Sequence, residues 1–161
     1  MEYHFRIHRE GSGYWAECIE LSGCLTQADS REELRMNMAE ALDLFLDEPP
    51  DSLVSFPLPR RNVSGKSIQK VPVSPSIAFA FLMRRSRLQH GITQKEASRR
   101  LGFKNLYSYQ RLESGKTANP ELSTLLKIRS IYPEFSVDLI LGGSGSKKMQ
   151  RKGSASASGR R

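Results

Sequence analysis

The sequence predicts an α+β fold in two parts, in which a small sheet with one helix precedes an all-helical bundle. Apolar and polar residues alternate near the N-terminus, as in half-buried strands, whereas from Ser74 onward the apolar residues follow the helical repeat. The charge divides as well, because residues 1–48 carry −7 and the remainder carries +15. Such an asymmetry indicates two parts with different partners, the basic part facing nucleic acid or another polyanion.

Three short strands are predicted in the N-terminal part. Residues 3–9 alternate cleanly between apolar and polar side chains, which is the pattern of a half-buried strand. The sequence EGSG at 10–13 predicts a hairpin turn, because glycine readily adopts the positive φ angles of such turns. A second strand follows over 14–20 and a third over 23–28.

One helix and one further strand complete this part. Ser30 and Glu33 form the S-x-x-E pattern of a capping box, which begins a helix. Its apolar residues, from Leu34 to Phe45, recur at helical spacing, so one face should pack on the sheet. Prolines restrict the strand that we expect at 52–59 to a sheet edge. The predicted order is β-β-β-α-β, a small α+β arrangement.

Capping residues and glycines predict where the helices after residue 73 begin and end. Ser74 as N-cap and Pro75 at the first helical position begin one helix, and Gly91 ends it. A T-Q-K-E capping box begins the next at Thr93. The four predicted helices begin near residues 75, 93, 105 and 119.

Hydropathy sets the remaining boundaries. The fourth helix carries an apolar stripe of Leu122, Leu125 and Leu126, while residues 135–141 fit either a strand or a last helical turn. The end of the chain has almost no apolar residue, so we expect it to be a disordered basic tail. The predicted segments are a sheet domain at 1–59, a linker at 60–74, a helical domain at 75–141 and the tail at 142–161.

The sequence also excludes several classes of protein. No run of about 18 apolar residues is present, and the N-terminus lacks the pattern of a signal peptide, so we expect a cytoplasmic protein. Cys18 and Cys24 should then remain thiols, and without a second Cys/His pair they do not make a zinc site. The strand alternation favours packing thiols for both, and we expect neither a metal nor another cofactor.

Residues 92–116 carry the strongest motif in the chain, ITQKEASRRLGFKNLYSYQRLESGK. A T-Q-x-E-x-A segment precedes L-G, and L-E-x-G-K follows after an interval one residue longer than usual. This pattern resembles the helix-turn-helix of the Xre/Cro repressor family, which implies DNA binding and transcription repression. The matching residues are Thr93, Gln94, Glu96, Ala97, Leu101, Gly102, Leu112, Glu113, Gly115 and Lys116.

A recognition helix needs one buried face and one face of side chains long enough to reach the bases. Leu106, Tyr109 and Leu112 supply the first face. Gln94, at the start of the preceding helix, is placed to hold a phosphate. The predicted base-facing residues are Asn105, Tyr107, Ser108, Gln110 and Arg111, and Lys95, Lys104 and Lys116 should attract the DNA backbone.

The N-terminal part contains a second pattern, Y-x-A-x-x-x-x-L-x-G-C-x-T-x-A-D-S-x-E-E, from Tyr14 to Glu33. It resembles the HicB antitoxin family, although residues 19–22 depart from that family's usual Pro-Asp-Leu-Pro run. The resemblance covers residues 1–59 and implies a partial RNase H-like fold whose partner is a HicA-type mRNA-cleaving toxin. Carboxylates would suit a partner that binds RNA. The candidate toxin-binding residues are Glu10, Glu17, Glu20, Asp29, Glu32 and Glu33.

Two functions follow from these resemblances. The first is an antitoxin of a type II toxin-antitoxin system that neutralises its toxin and represses its own operon in a bacterial or archaeal cytosol. The alternative is a stand-alone Xre-type regulator with a small sensing or dimerisation domain. In either case a homodimer or higher homo-oligomer is expected, because helix-turn-helix proteins read paired half-sites. We expect no enzymatic activity, because the first strand presents His4, Arg6 and His8 rather than carboxylates for a two-metal nuclease.

Overall fold

Four antiparallel strands form one sheet at the N-terminal end of the chain. The protein is described by a computed structural model that covers residues 1–49 and 51–141. The strands are β1 (Glu2–Glu10), β2 (Gly13–Cys18), β3 (Leu25–Ala28) and β4 (Ile68–Pro72), with the helix α1 (Arg31–Leu46) between β3 and β4. The strands lie in the order β3-β2-β1-β4. The predicted α+β class is confirmed, and the order β-β-β-α-β is found with its last strand at Ile68–Pro72, whereas likeness to RNase H stays a prediction.

The hairpin at residues 10–13 is the turn that the sequence predicts. Gly11 adopts a φ of 58°, and β1 and β2 pair in register from Glu10 opposite Gly13 to Phe5 opposite Cys18. This register places Tyr3 and Phe5, which are fully buried, in the same apolar core as the inner face of α1. The alternation in the sequence therefore identifies the core side of β1, but His4, which it places on the outward face, is also buried.

The capping of α1 explains where that helix begins. The Ser30 hydroxyl accepts a hydrogen bond from the amide of Glu33 at 3.2 Å, as the capping box predicts. The carboxylate of Glu33 accepts from the amide of Asp29, also at 3.2 Å, rather than from that of Ser30. Leu34, Met38, Leu42 and Leu46 are buried in the core, so the helical spacing correctly predicts the packed face.

The prediction of a strand at 52–59 is wrong. Carbonyls of this segment are bound by side chains instead of a neighbouring strand, since the Tyr3 hydroxyl donates to Pro57 O at 2.7 Å and Arg85 donates to Phe56 O at 3.1 Å. Phe56 packs against Phe45 with ring centroids 5.1 Å apart. The last strand, β4, lies instead within the range predicted as a linker and pairs with β1. The division into domains at residues 59 and 75 stays a prediction.

Five helices and one 3-10 turn follow the sheet in the described part of the chain. The helix α2 begins at Pro75 as predicted, and Gly91, with a φ of 62°, follows its C-terminal end. The segment at 135–141 contains a short helix rather than a strand. The predicted tail at 142–161 lies outside the described residues. The helices are α2 (Pro75–Gln89), α3 (Gln94–Arg100), α4 (Leu106–Gln110), α5 (Leu122–Ile131) and α6 (Val137–Ile140), and the 3-10 turn is Arg111–Glu113.

The apolar stripe predicted on the fourth helix of the bundle, α5, does not face the core. Leu122 is 81% exposed and Leu126 is 73% exposed, while Leu125 is half-buried. Ile128 is the buried residue of α5. The helical period is right, but the buried face is set by contacts on the opposite side of the helix.

The sheet and the helices are joined by side chains that bind backbone groups across the junction. The carboxylate of Asp43 on α1 accepts hydrogen bonds from the amide of Ser74, at 2.9 Å, and from the Ser74 hydroxyl, just before the start of α2. One nitrogen of Arg84 donates to Glu48 O at 2.7 Å and to Glu113 O at 3.0 Å. Buried side chains of the sheet and of the helices belong to one apolar cluster, so the helices have a defined position on the sheet.

Candidate nucleic-acid interface

A buried ion pair lies beneath α4. Glu113 has no exposed surface, and its carboxylate accepts from Arg87 Nε at 2.6 Å and from an Arg87 terminal nitrogen at 3.0 Å. The Tyr109 hydroxyl donates to the same carboxylate at 2.5 Å. Burial opposes the Arg87 cation, but the hydrogen bonds and charge of Glu113 raise the pKa of Arg87 above its usual value. This network fixes α4 against α2.

Gln94 extends this network to the surface. Its amide nitrogen donates to Glu113 at 3.1 Å, and its amide oxygen accepts from Gln110, also at 3.1 Å. Gln94, predicted to hold a phosphate, thus links the buried carboxylate to a residue predicted to face the bases. The structure brings Gln94 and Gln110 together, and their amide groups orient each other.

The start of α4 is defined by Asn105. The Asn105 side chain accepts from the amide of Ser108 at 2.8 Å and from its hydroxyl at 3.0 Å, which makes Asn105 the N-cap. Asn105 and Ser108, which are both predicted to face the bases, are thus hydrogen-bonded to each other at the start of the helix. This cap also places the first helical residue at Leu106, which the unusual interval in the motif left open.

The outward face of α4 carries two long side chains. Tyr107 is 68% exposed, and Arg111 is exposed where the helix passes into the 3-10 turn. Tyr109 and Leu112 are buried as predicted, but Leu106, predicted to be buried with them, is 39% exposed. Leu106 lies in the first turn of α4, where the core does not cover it.

Exposed cations surround this helix. Lys95, Lys104 and Lys116 are exposed, as expected for contacts with a polyanion. Arg99 and Arg100, by contrast, both bind the carboxylate of Glu96, the former at 2.8 Å and the latter at 2.9 Å, and these hydrogen bonds hold the pKa of Glu96 at about 2. The two arginines therefore contribute less free positive charge than the sequence indicates.

The positions of two residues near α4, Arg87 and Asp51, could not be predicted from the sequence pattern. Arg87 is the buried partner of Glu113, although nothing in its helical spacing distinguishes it from an exposed arginine. Asp51 lines a cleft with Tyr107, Gln110 and Arg111, although 56 residues separate Asp51 from Tyr107 in the numbering. Such contacts depend on how the sheet and the helices pack together.

Comparison with known families decides the nature of this site. The helix-turn-helix family model matches residues 83–139, which include α3, α4 and their turn. Residues 83–139 form an Xre/Cro-like helix-turn-helix domain. A domain of this type indicates DNA binding in transcription regulation. No curated protein matches the chain, and none of the described helices is long and apolar enough to cross a membrane.

Three of the acidic residues predicted to bind a toxin line one cleft, near the hairpin that joins β1 and β2. Glu10, Asp29 and Glu33 line it together with the half-buried Tyr14 and Trp15. Asp29 and Glu33 are additionally connected through the cap of α1. The cleft places negative charge beside aromatic side chains. It lies outside the helix-turn-helix domain.

The other three acidic candidates lie in different surroundings. The prediction that Glu20 is a surface contact is wrong, because its side chain is 1% exposed and binds His4 Nδ1 at 2.6 Å. The backbone amide of Arg60 also donates to Glu20, at 3.1 Å, since residues 59–61 cover this end of β1. Glu17 is partly exposed and lies 3.2 Å from His8, and Glu32 is exposed on α1.

The two cysteines are packing residues, as predicted. Cys18 is 6% exposed and Cys24 is 2% exposed, and the Cys18 amide donates to Cys24 O at 2.8 Å. The thiol contact with Cys24, together with burial, raises the pKa of Cys18 above its usual value. A thiol in this setting is a poor nucleophile.

Proposed function

We propose that the protein is a transcription regulator that binds operator DNA as a homodimer through α3 and α4 of its helix-turn-helix domain. One observation carries this proposal: Tyr107 projects from α4 and Arg111 from the 3-10 turn after it, and the buried Arg87–Glu113 pair holds both in place. Reading bases requires long side chains on a rigid support, and arginine can donate two hydrogen bonds to guanine. The exposed lysines around α4 would bind phosphates.

The exposed leucines of α5 support the dimer. Leu122 and Leu126 are four residues apart on one helix and therefore lie on the same face. A second copy of the chain would cover them, and a two-fold pair of recognition helices could then read half-sites about 34 Å apart.

DNA binding is tested with the duplex upstream of the protein's own gene, measured by fluorescence anisotropy. Arg111→Ala should weaken binding by about 1–3 kcal/mol, because one base-reading arginine is lost. Arg35→Ala removes the same charge from an exposed position on α1 and serves as the control. Equal affinities of the two variants would contradict a reading role for Arg111.

We further propose that the acidic cleft of the sheet binds a basic protein, and that this partner is a HicA-type toxin. The support is the sequence resemblance to HicB antitoxins together with the grouping of Glu10, Asp29 and Glu33 beside aromatic residues. The protein would then be an antitoxin that represses its own operon. On this proposal the sheet binds a protein and catalyses no reaction, and the chain acts in the cytoplasm.

The antitoxin proposal is tested by co-expression with the basic protein encoded by the neighbouring reading frame. Asp29→Lys should abolish co-purification and growth rescue, whereas Glu40→Lys, an equal charge change at an exposed position of α1, should preserve both. Gln110→Ala with Arg111→Ala should abolish operator binding and leave neutralisation intact.

A stand-alone regulator is the second candidate. It is favoured because the family match covers residues 83–139 and does not extend to the sheet. The absence of a neighbouring toxin gene, together with normal operator binding, would decide for it.

A further inference from the structure

Asp51 lies between two clefts of the predicted DNA-binding surface. One cleft is lined by Asp51 together with Tyr107, Gln110 and Arg111 of the recognition helix and turn. The other is lined by Asp51 and Leu53 with residues 91–95, which include Gln94 and Lys95 at the start of α3. A single carboxylate therefore adjoins both helices that the proposed function assigns to DNA.

The chain before Asp51 is fastened to the helix-turn-helix domain. The carbonyl of Glu48 accepts from Arg84 at 2.7 Å. Asp47 lies close to Gly115, where a β-carbon would come within 2.6 Å of the Asp47 carboxylate. These contacts place the end of α1 against Arg84 of α2 and against the residues that follow the 3-10 turn.

The chain after Asp51 is packed loosely. Leu53 is 77% exposed and Val54 is 47% exposed, so little apolar surface holds these residues in place. Among the described residues Asp51 forms no ion pair, so neither Arg111 nor Lys95 neutralises its charge. A carboxylate that forms no ion pair therefore adjoins both clefts.

We propose that Asp51 is a residue of the DNA interface that opposes binding and so sets the affinity of the protein for DNA. This inference rests on the proposed DNA-binding function. Bound DNA brings phosphate charges alongside α3 and α4, where they meet the Asp51 carboxylate, and like charges repel. DNA binds fully only when this repulsion is overcome or when residues 51–54 move aside.

The experiment compares Asp51→Asn and Asp51→Lys with the wild type in the full chain. Anisotropy is measured with the duplex upstream of the gene and with an unrelated duplex of equal length. Asp51→Asn should bind both duplexes about fivefold more tightly, and Asp51→Lys should gain roughly twice that free energy. Glu40→Gln and Glu40→Lys make equal charge changes on the exposed face of α1 and serve as matched controls.

Salt separates a charge effect from a change in structure. The gain from Asp51→Asn should shrink as ionic strength rises, because screening weakens the repulsion that the variant removes. Wild-type-like affinity of both Asp51 variants, or equal gains in the Glu40 controls, would overturn the inference and leave DNA binding by the wild type intact. If the wild type and all variants fail to bind either duplex, the proposed function fails. Binding by Asp51→Lys alone would overturn the inference, because the neutral Asp51→Asn would then have relieved no repulsion.

Discussion

The buried carboxylate of Glu113 should be the most sensitive single position in the helix-turn-helix domain. Glu113→Gln keeps the shape of the side chain but removes the charge that compensates the 4% exposed Arg87. The native carboxylate accepts hydrogen bonds from Arg87, Tyr109 and Gln94. The amide nitrogen of the glutamine is itself a donor, so it cannot accept from any of them. The variant therefore creates an uncompensated buried cation and unmatched donors.

The magnitude follows from the burial of the pair. Removing one partner of a buried ion pair destabilises a protein by about 3–5 kcal/mol. In a chain of this size each kcal/mol lowers Tm by about 2–4 °C, so the expected loss is roughly 6–20 °C. Tyr109→Phe removes only one hydrogen bond to a charged group and should lower the free energy of unfolding by about 1.5–3 kcal/mol.

Equilibrium urea unfolding, followed by far-ultraviolet circular dichroism, measures these differences. Glu121→Gln changes an exposed glutamate of the same domain and should alter the free energy of unfolding by less than about 0.5 kcal/mol. The double variant of Glu113 and Tyr109 should lose less than the sum of the single losses, because both act in one network. If Glu113→Gln is as stable as Glu121→Gln, the assignment of the ion pair as a stabilising network is refuted.

Three further predictions concern the rest of the chain. Burial opposes ionisation of Glu20, but hydrogen bonds from His4 and Arg60 hold its pKa below the usual value, so it stabilises the fold above the unfolded-state pKa of about 4.5. This stabilisation should be lost as pH falls through the lower folded-state pKa, and unfolding measured against pH in Glu20→Gln should show a smaller loss there. Cys18 and Cys24 should resist alkylation in the native protein and react after unfolding, which mass spectrometry would detect; rapid native labelling would contradict their burial. Leu126→Glu should convert the proposed dimer to a monomer in light-scattering measurements, and an unchanged mass would exclude α5 as the interface.

The local features of this protein follow from its amino-acid sequence. Helix starts at Ser30 and Thr93 were predictable because a cap is a contact between residues a few positions apart. The start at Ser74 was predictable from Pro75 at the first helical position, although the Ser74 hydroxyl binds Asp43 and does not cap the helix. The hairpin at Gly11 was predictable because a tight turn depends on its own residues. The helix-turn-helix motif likewise occupies one continuous stretch, and the family match covers it.

Which residues of these elements are buried, and which segments bury them, depends on the fold of the whole chain. The carboxylate of Glu20, read as a surface charge, is buried because residues distant in sequence cover His4 and the end of β1. The last strand is β4 rather than residues 52–59, and the leucines of α5 face away from the core. Asp51 likewise lies beside Tyr107 and Arg111 only because the folded chain brings the end of α1 to Arg84 and Gly115. Hydropathy and spacing describe each segment alone, whereas burial and charge pairing depend on segments that meet only in the folded chain.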